Sequence, residues 1–393
     1  MNQNRTIAQD AAKGMMVIAV IFFHCYLVTF SSPAEALSQF SVLSAIFPFL
    51  LSSFFFYAGY NYNPGERTFK QNVIRRAKQL LIPMVMAFAI STILISSMEL
   101  AFNHSDVNGS LLAIGNTIAY NLMSDPLSLM IGFPQYGGTV YELVIALGLL
   151  WFLYALFICS VFFYLLVDHT NKSVKTLISV VVGLLLISFI LGQFVGVYLP
   201  YTVQCYPVII AIMLTASYLR KSHFLNRRAK SKKDYIYRGI NVLIAEGIII
   251  STSFICYRHF GALTTGSIPG GKFDDVLRGF DAFIAYAFGI LGTYFLHTLC
   301  RLIKFIPVLG KSLQWIGNHS AIFYLFHPIY LDLAAIVIFQ KQIIWGHTQA
   351  YFYVGVVVLL LTITCLTIDF VVKKVKNKHV VEEVRLQEAP EDI

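Results

Sequence analysis

Apolar runs about 20 residues long recur along almost the whole chain, and no other feature of the sequence restricts its fold so tightly. A helix needs about 20 apolar residues to cross the hydrocarbon core of a bilayer. Inside lipid each backbone amide must find its partner within its own segment, so helices are the expected spanning element. Barrel strands would alternate apolar and polar residues, and these runs are continuous. The composition agrees: 57% of the 393 residues are hydrophobic and only 12% are charged, about half the charged share of soluble domains. The expected fold is therefore all-α, a polytopic integral membrane bundle of about ten transmembrane helices.

The spans are placed at 14–31, 41–60, 80–98, 140–167, 175–193, 200–219, 239–256, 278–299, 316–339 and 349–371. Residues 110–130 are apolar but interrupted by Asn116, Asn121, Asp125 and Pro126, and read as an interfacial or re-entrant helix. With the N-terminus in the cytoplasm, 25 of the 29 lysines and arginines fall in inner segments. Arg258, Lys272, Arg278 and Lys341 are the four outside. Basic residues are retained on the cytoplasmic side, so both termini are expected to be cytosolic, and the net charge of +9 calls for no nucleic-acid partner. The first apolar run has no small-residue cleavage site and is expected to stay as a span. The six cysteines stand singly with no CxxC or metal-ligand spacing, so neither a disulfide framework nor a metal site is expected. No internal repeat is evident. The last residues, 376–393, read as a polar cytosolic tail.

The first span carries the densest chemistry. From Asp10 it reads DAAKGMMVIAVIFFHCYL. Lys13 and His24 are eleven residues apart, almost three turns, and so lie nearly in line, with Asp10 close to the same stripe. His24 stands about 15 Å beyond Gly14 along the axis, near the middle of a slab about 30 Å thick. An ionisable group at that depth faces a cavity or a partner. An imidazole there either takes a proton from a hydroxyl or attacks a carbonyl. It also serves, in other proteins, as a neutral hydrogen-bonding tie between helices.

The pattern D-x-x-K-G-x(9)-H resembles the first helix of the acyltransferase 3 family of membrane acyltransferases, where D-x-x-R-G precedes an apolar helix bearing an essential His. Lys13 stands where Arg is usual, which keeps the charge and loses the bidentate fork. Further resemblances follow in the family's order. FFFYAGYNY (54–62) is similar to F-x-F-x-S-G-Y, with Ala58 before Gly59. VIRRAKQLLIP (73–83) resembles the basic segment leading into R-L-x-P. WFLYAL (151–156) is similar to the family's W-F-L. IGNHSAIFYLFHPIYL (316–331) resembles G-x-x-S-x-x-x-Y-x-x-H-x-P-I, with Gly317, Ser320, Tyr324 and His327 in the matching places. The resemblance covers essentially the whole chain, without the esterase-like domain that longer members append, and implies a transmembrane acyltransferase domain over 1–375.

It implies an acyl-CoA donor, acetyl-CoA foremost, and a carbohydrate or lipid-linked glycan acceptor of the cell envelope, with a multi-pass location in the inner (plasma) membrane. Lys13, Arg75, Arg76 and Lys78 are then expected to take the donor's phosphates, because cationic side chains bind phosphate oxygens. The same four residues also read as ordinary inner-face anchors. His24 is the expected base or nucleophile, and Glu142, in the span that carries Trp151, is a carboxylate that orients it or binds acceptor hydroxyls. Asp10, Trp151, Tyr324 and His327 are assigned to substrate binding. Trp151 is suited to stacking on a sugar or cofactor ring, and His327 is a second polar group within its span. A transporter or flippase, a non-catalytic envelope-polysaccharide subunit and a glycan polymerase are the competing readings.

Overall fold

A computed structural model of the chain describes residues 7–29, 49–102, 151–194, 205–225, parts of 233–251, 281–303, 306–340 and 352–370 apart from 353. Among these residues 91% are helical and none is in a strand. The helices are α1 (Ile7–Thr29), α2 (Leu50–Tyr60), α3 (Phe69–Phe102), α4 (Trp151–Thr170), α5 (Val174–Phe194), α6 (Tyr206–Lys221), α7 (Asp281–Ile303), α8 (Pro307–Asn318) and α9 (Ser320–Gln340), followed by α10 (Val354–Phe370). A short apolar helical stretch, Gly239–Ile248, lies between α6 and α7.

Three of these helices are long and apolar enough to cross a membrane by length and composition, within α4 (Phe152–Thr170), α5 (Val174–Leu191) and α7 (Ala282–Ile303). Their outward faces show the same character. On α5, Ile178, Val182, Leu186 and Ile190 are exposed while Leu177, Val181 and Leu185 are buried. A helix apolar on both faces has no stable place in water. Lipid on one side and the bundle on the other satisfies it.

α6 is the central helix. From Tyr206 to Leu214 every residue is buried, and α2, α4, α5 and α7 pack around it. Gly59 brings α2 onto it: a Cβ there would run into the backbone of Met213. A second, smaller core joins Val17, Ile21 and Cys25 of α1 to Phe323 and Leu331 of α9 and to Val357, Leu361 and Cys365 of α10. Ile18, Phe54 and Phe326 touch both cores and weld them.

Two elements differ from the sequence expectation. α3 begins at Phe69, not at 80, because nothing in FKQNVIRRAKQ breaks a helix and the basic segment simply continues the apolar one. The expected span 316–339 is two helices. α8 ends at Asn318 and α9 starts at Ser320. His319 sits at the break, its N–H shared between the carbonyls of Trp315 and Ile316, and its ring Nδ1 lies 2.8 Å from the Trp315 oxygen. α8 is amphipathic, with Gly310, Leu313, Ile316 and Gly317 buried and Val308 and Leu309 exposed. The expected re-entrant segment 110–130 and the first part of the 140–167 span lie outside the described residues.

Candidate functional site

The first and last motifs of the sequence meet backbone to backbone. α1 lies along α8, and a Cβ built on Gly14 would strike the Leu313 carbonyl oxygen, while one on Gly317 would strike the carbonyl oxygen of Asp10. The two glycines let the helix axes approach as closely as small residues allow. Asp10 is buried beside this crossing, at 7% exposure, and its charge is within electrostatic reach of Tyr57 on α2. Lys13 is half-buried one turn further on. His24 lies in α1 three residues beyond Ile21 and seven beyond Val17, and so on or beside the helix stripe that packs on α9 and α10.

Three other motifs converge on an aromatic junction. Phe152, the second residue of α4, has its ring centroid 5.4 Å from Phe54 and 4.9 Å from Phe55 of α2, and 5.4 Å from Tyr324 of α9. His327 stands one turn beyond Tyr324, with ring centroids 5.4 Å apart, and is fully buried. Its Nδ1 is 2.6 Å from the Tyr324 carbonyl oxygen. A carbonyl only accepts, so Nδ1 carries the proton and donates it, and neutral His327 keeps its lone pair on Nε2. That is the tautomer a proton acceptor requires. The segments 54–62, 151–156 and 316–331 are thus one place in the fold.

The basic segment divides. Arg76 turns inward, its Nε donating to Ser160 Oγ at 3.2 Å, and Ser160 Oγ donates in turn to the Leu156 carbonyl at 2.5 Å. Ser160 is ten residues from the end of α4, about 15 Å along its axis, so this guanidinium carries its charge into the bundle. Arg75 and Lys78 are exposed, on the side of α3 that continues into exposed Ile82, Val85 and Met86. They are set to reach the membrane interface along their stems. Trp151 is the first residue of α4, next to Phe152 of the junction. Glu142 lies outside the described residues.

A polar seam between α2 and α7 was not anticipated. Thr293 Oγ1 donates to Ser53 Oγ at 2.9 Å, and one turn further the Tyr57 hydroxyl meets His297 Nδ1 at 3.4 Å. His297 also bonds the backbone of Leu225, as Arg301 does from the next turn at 3.4 Å. The signal was present as a four-residue polar spacing, Thr293, His297 and Arg301 on α7 against Ser53 and Tyr57 on α2. His319 is the other residue without an expected role. Its Nε2 is 3.0 Å from Asp369 of α10, which ties the α8–α9 break to the last described helix.

Apolar helices wrapped around an aromatic junction, with an arginine and histidines drawn inside, define the class: a helical membrane protein with an internal polar site. The family follows from comparison with known proteins. The acyltransferase 3 model, described as an acyltransferase domain, matches residues 7–368, and the chain belongs to that family. Searches of curated proteins and of solved structures each found no match.

Proposed function

We propose that the protein is a ten-span O-acyltransferase of the inner membrane, with both termini cytosolic, that moves an acetyl group from acetyl-CoA to a hydroxyl of an envelope or exported carbohydrate. The observation that carries this reading is the convergence of segments far apart in sequence. Phe152, Tyr324 and His327 meet Phe54 and Phe55 of α2, and α1 packs against both α2 and α9.

In this mechanism the thioester enters from the cytosolic side past Asp10 and Lys13. Arg76, already inside the bundle, sits where it steadies negative charge that develops on the carbonyl oxygen, since a buried guanidinium acts there in a low dielectric. His24 takes the proton of the acceptor hydroxyl as the oxygen attacks the thioester carbonyl. The thiolate of coenzyme A departs as the new ester forms. In the alternative route the imidazole attacks first and the acyl-imidazole passes its acyl group to the acceptor. His327, in the Nε2 lone-pair tautomer beside Tyr324, binds the acceptor hydroxyl. An acceptor on the outer side makes this a transfer across the membrane.

The test is purified protein with radiolabelled acetyl-CoA and envelope glycan acceptors. Label should reach the glycan with the wild type and be lost with His24→Ala. Full turnover by His24→Ala refutes the assignment, and solute flux without thioester consumption marks a transporter instead.

A further inference from the structure

The turn that ends α6 holds a side chain its backbone does not want. The Phe224 N–H bonds the Leu219 carbonyl at 3.3 Å, and the His223 N–H bonds the Arg220 carbonyl at 2.9 Å. This pair of bonds is the Schellman motif, whose left-handed position normally holds glycine. Here it is His223, at φ 51° and exposed. A residue with a Cβ is strained in that conformation, and strain of this kind is found where a side chain is used.

Cations surround it. Lys221 is exposed, its Nζ bonds the Asn171 carbonyl, and it lies 5.1 Å over the Tyr218 ring. Arg220 is half-buried and donates one N–H to the Tyr62 carbonyl, while Arg301 donates one to Leu225 at 3.4 Å. A guanidinium has five N–H groups, so one such bond leaves others for a ligand. The carboxylate within electrostatic reach is Asp168, acting on Tyr62. The corner is also fixed in place. The Leu225 N–H reaches Tyr60 Oη at 3.4 Å, Leu225 is buried, and the Phe224 ring lies 5.2 Å from that of Tyr294. The carbonyl end of α6 repels anions, so these side chains must supply all of the attraction.

We propose that His223, Lys221, Arg220 and Arg301 form a binding corner for a phosphoester anion. Resting on the acyl-CoA reading above, the anion is the nucleotide end of the donor. Arg75 and Lys78, on the apolar-flanked side of α3, then serve as interface anchors. The decisive variant is His223→Gly, which relieves the backbone and removes only the side chain.

The probe is adenosine 3′,5′-bisphosphate, the nucleotide part of coenzyme A, titrated onto full-length protein in nanodiscs of zwitterionic lipid. His223→Gly is expected to raise the thermal midpoint yet weaken nucleotide binding about tenfold, as does Lys221→Gln. The KM for acetyl-CoA should rise in parallel. A His223→Gly protein that is stabilised and binds the nucleotide as the wild type does overturns the proposal. So does one whose loss is confined to retention of anionic lipid, which would assign the corner to headgroup phosphates. If acetyl transfer proceeds with an unchanged KM in His223→Gly, this corner alone is refuted. If the wild type neither binds the nucleotide nor transfers acetyl, the donor reading falls with it.

Discussion

Replacing Gly317 by alanine tests whether the α1–α8 crossing sets the site. The added Cβ would meet the carbonyl oxygen and carbon of Asp10 and the amide nitrogen of Gly14, all within 3.0 Å, a separation that real Cβ atoms essentially never show. All three are helix backbone, so no side chain can swing aside. Relief requires α1 and α8 to part by roughly 1 Å or more, and a gap of that size forfeits a quarter to a half of each dispersion contact along the crossing. Overpacking of this kind costs about 1–3 kcal/mol, and more where the obstacle is rigid. The upper end, about 3 kcal/mol, is expected here. Because α1 carries Asp10, Lys13 and His24, a shift near 1 Å should also lower acetyl transfer by about 100-fold. Gly183→Ala is the control, since a Cβ there meets nothing within 4 Å and sits on a helix where alanine is favoured. Thermal unfolding in detergent and initial rates of acetyl transfer measure both effects. If Gly317→Ala matches Gly183→Ala in both, the close crossing does not govern the site.

Two further perturbations address the interior. Arg76→Lys keeps the charge but loses the Nε donor to Ser160 and the planar fork, so acetyl transfer should fall at least about tenfold while Ser160→Ala alone costs about 1 kcal/mol of stability. Comparable rates for Arg76→Lys and wild type would show that only the charge matters. Phe152→Ala removes the ring shared by Phe54, Phe55 and Tyr324 and should destabilise the protein by about 3–5 kcal/mol. Chemical denaturation reads this directly, and a change under about 1 kcal/mol would mean the aromatic junction is not a packed core.

How much of this was legible before folding can be argued residue by residue. Gly14 and Gly317 were both noticed as parts of motifs, yet nothing in either local sequence says that one helix rests on the other. The inward turn of Arg76 and the outward turn of Arg75 and Lys78 follow from the 100° step of the helix once one neighbour is fixed, and the sequence does not fix that neighbour. Tyr57 and His297 are 240 residues apart, so their pairing is invisible to any local pattern, although the four-residue polar spacing on each helix announced that something polar was opposite.

Local composition decided that this chain is helical and apolar enough for lipid, because backbone hydrogen bonding and hydrocarbon solvation act over a turn or two and need no knowledge of the remaining chain. It also supplied the chemical groups in an order shared with a family. Tertiary packing alone decided which groups meet: Phe152 with Tyr324, Arg76 with Ser160, Asp10 with Gly317. Those contacts depend on the rotation and depth of whole helices, and these are set by interdigitation across the bundle, a property of many residues together.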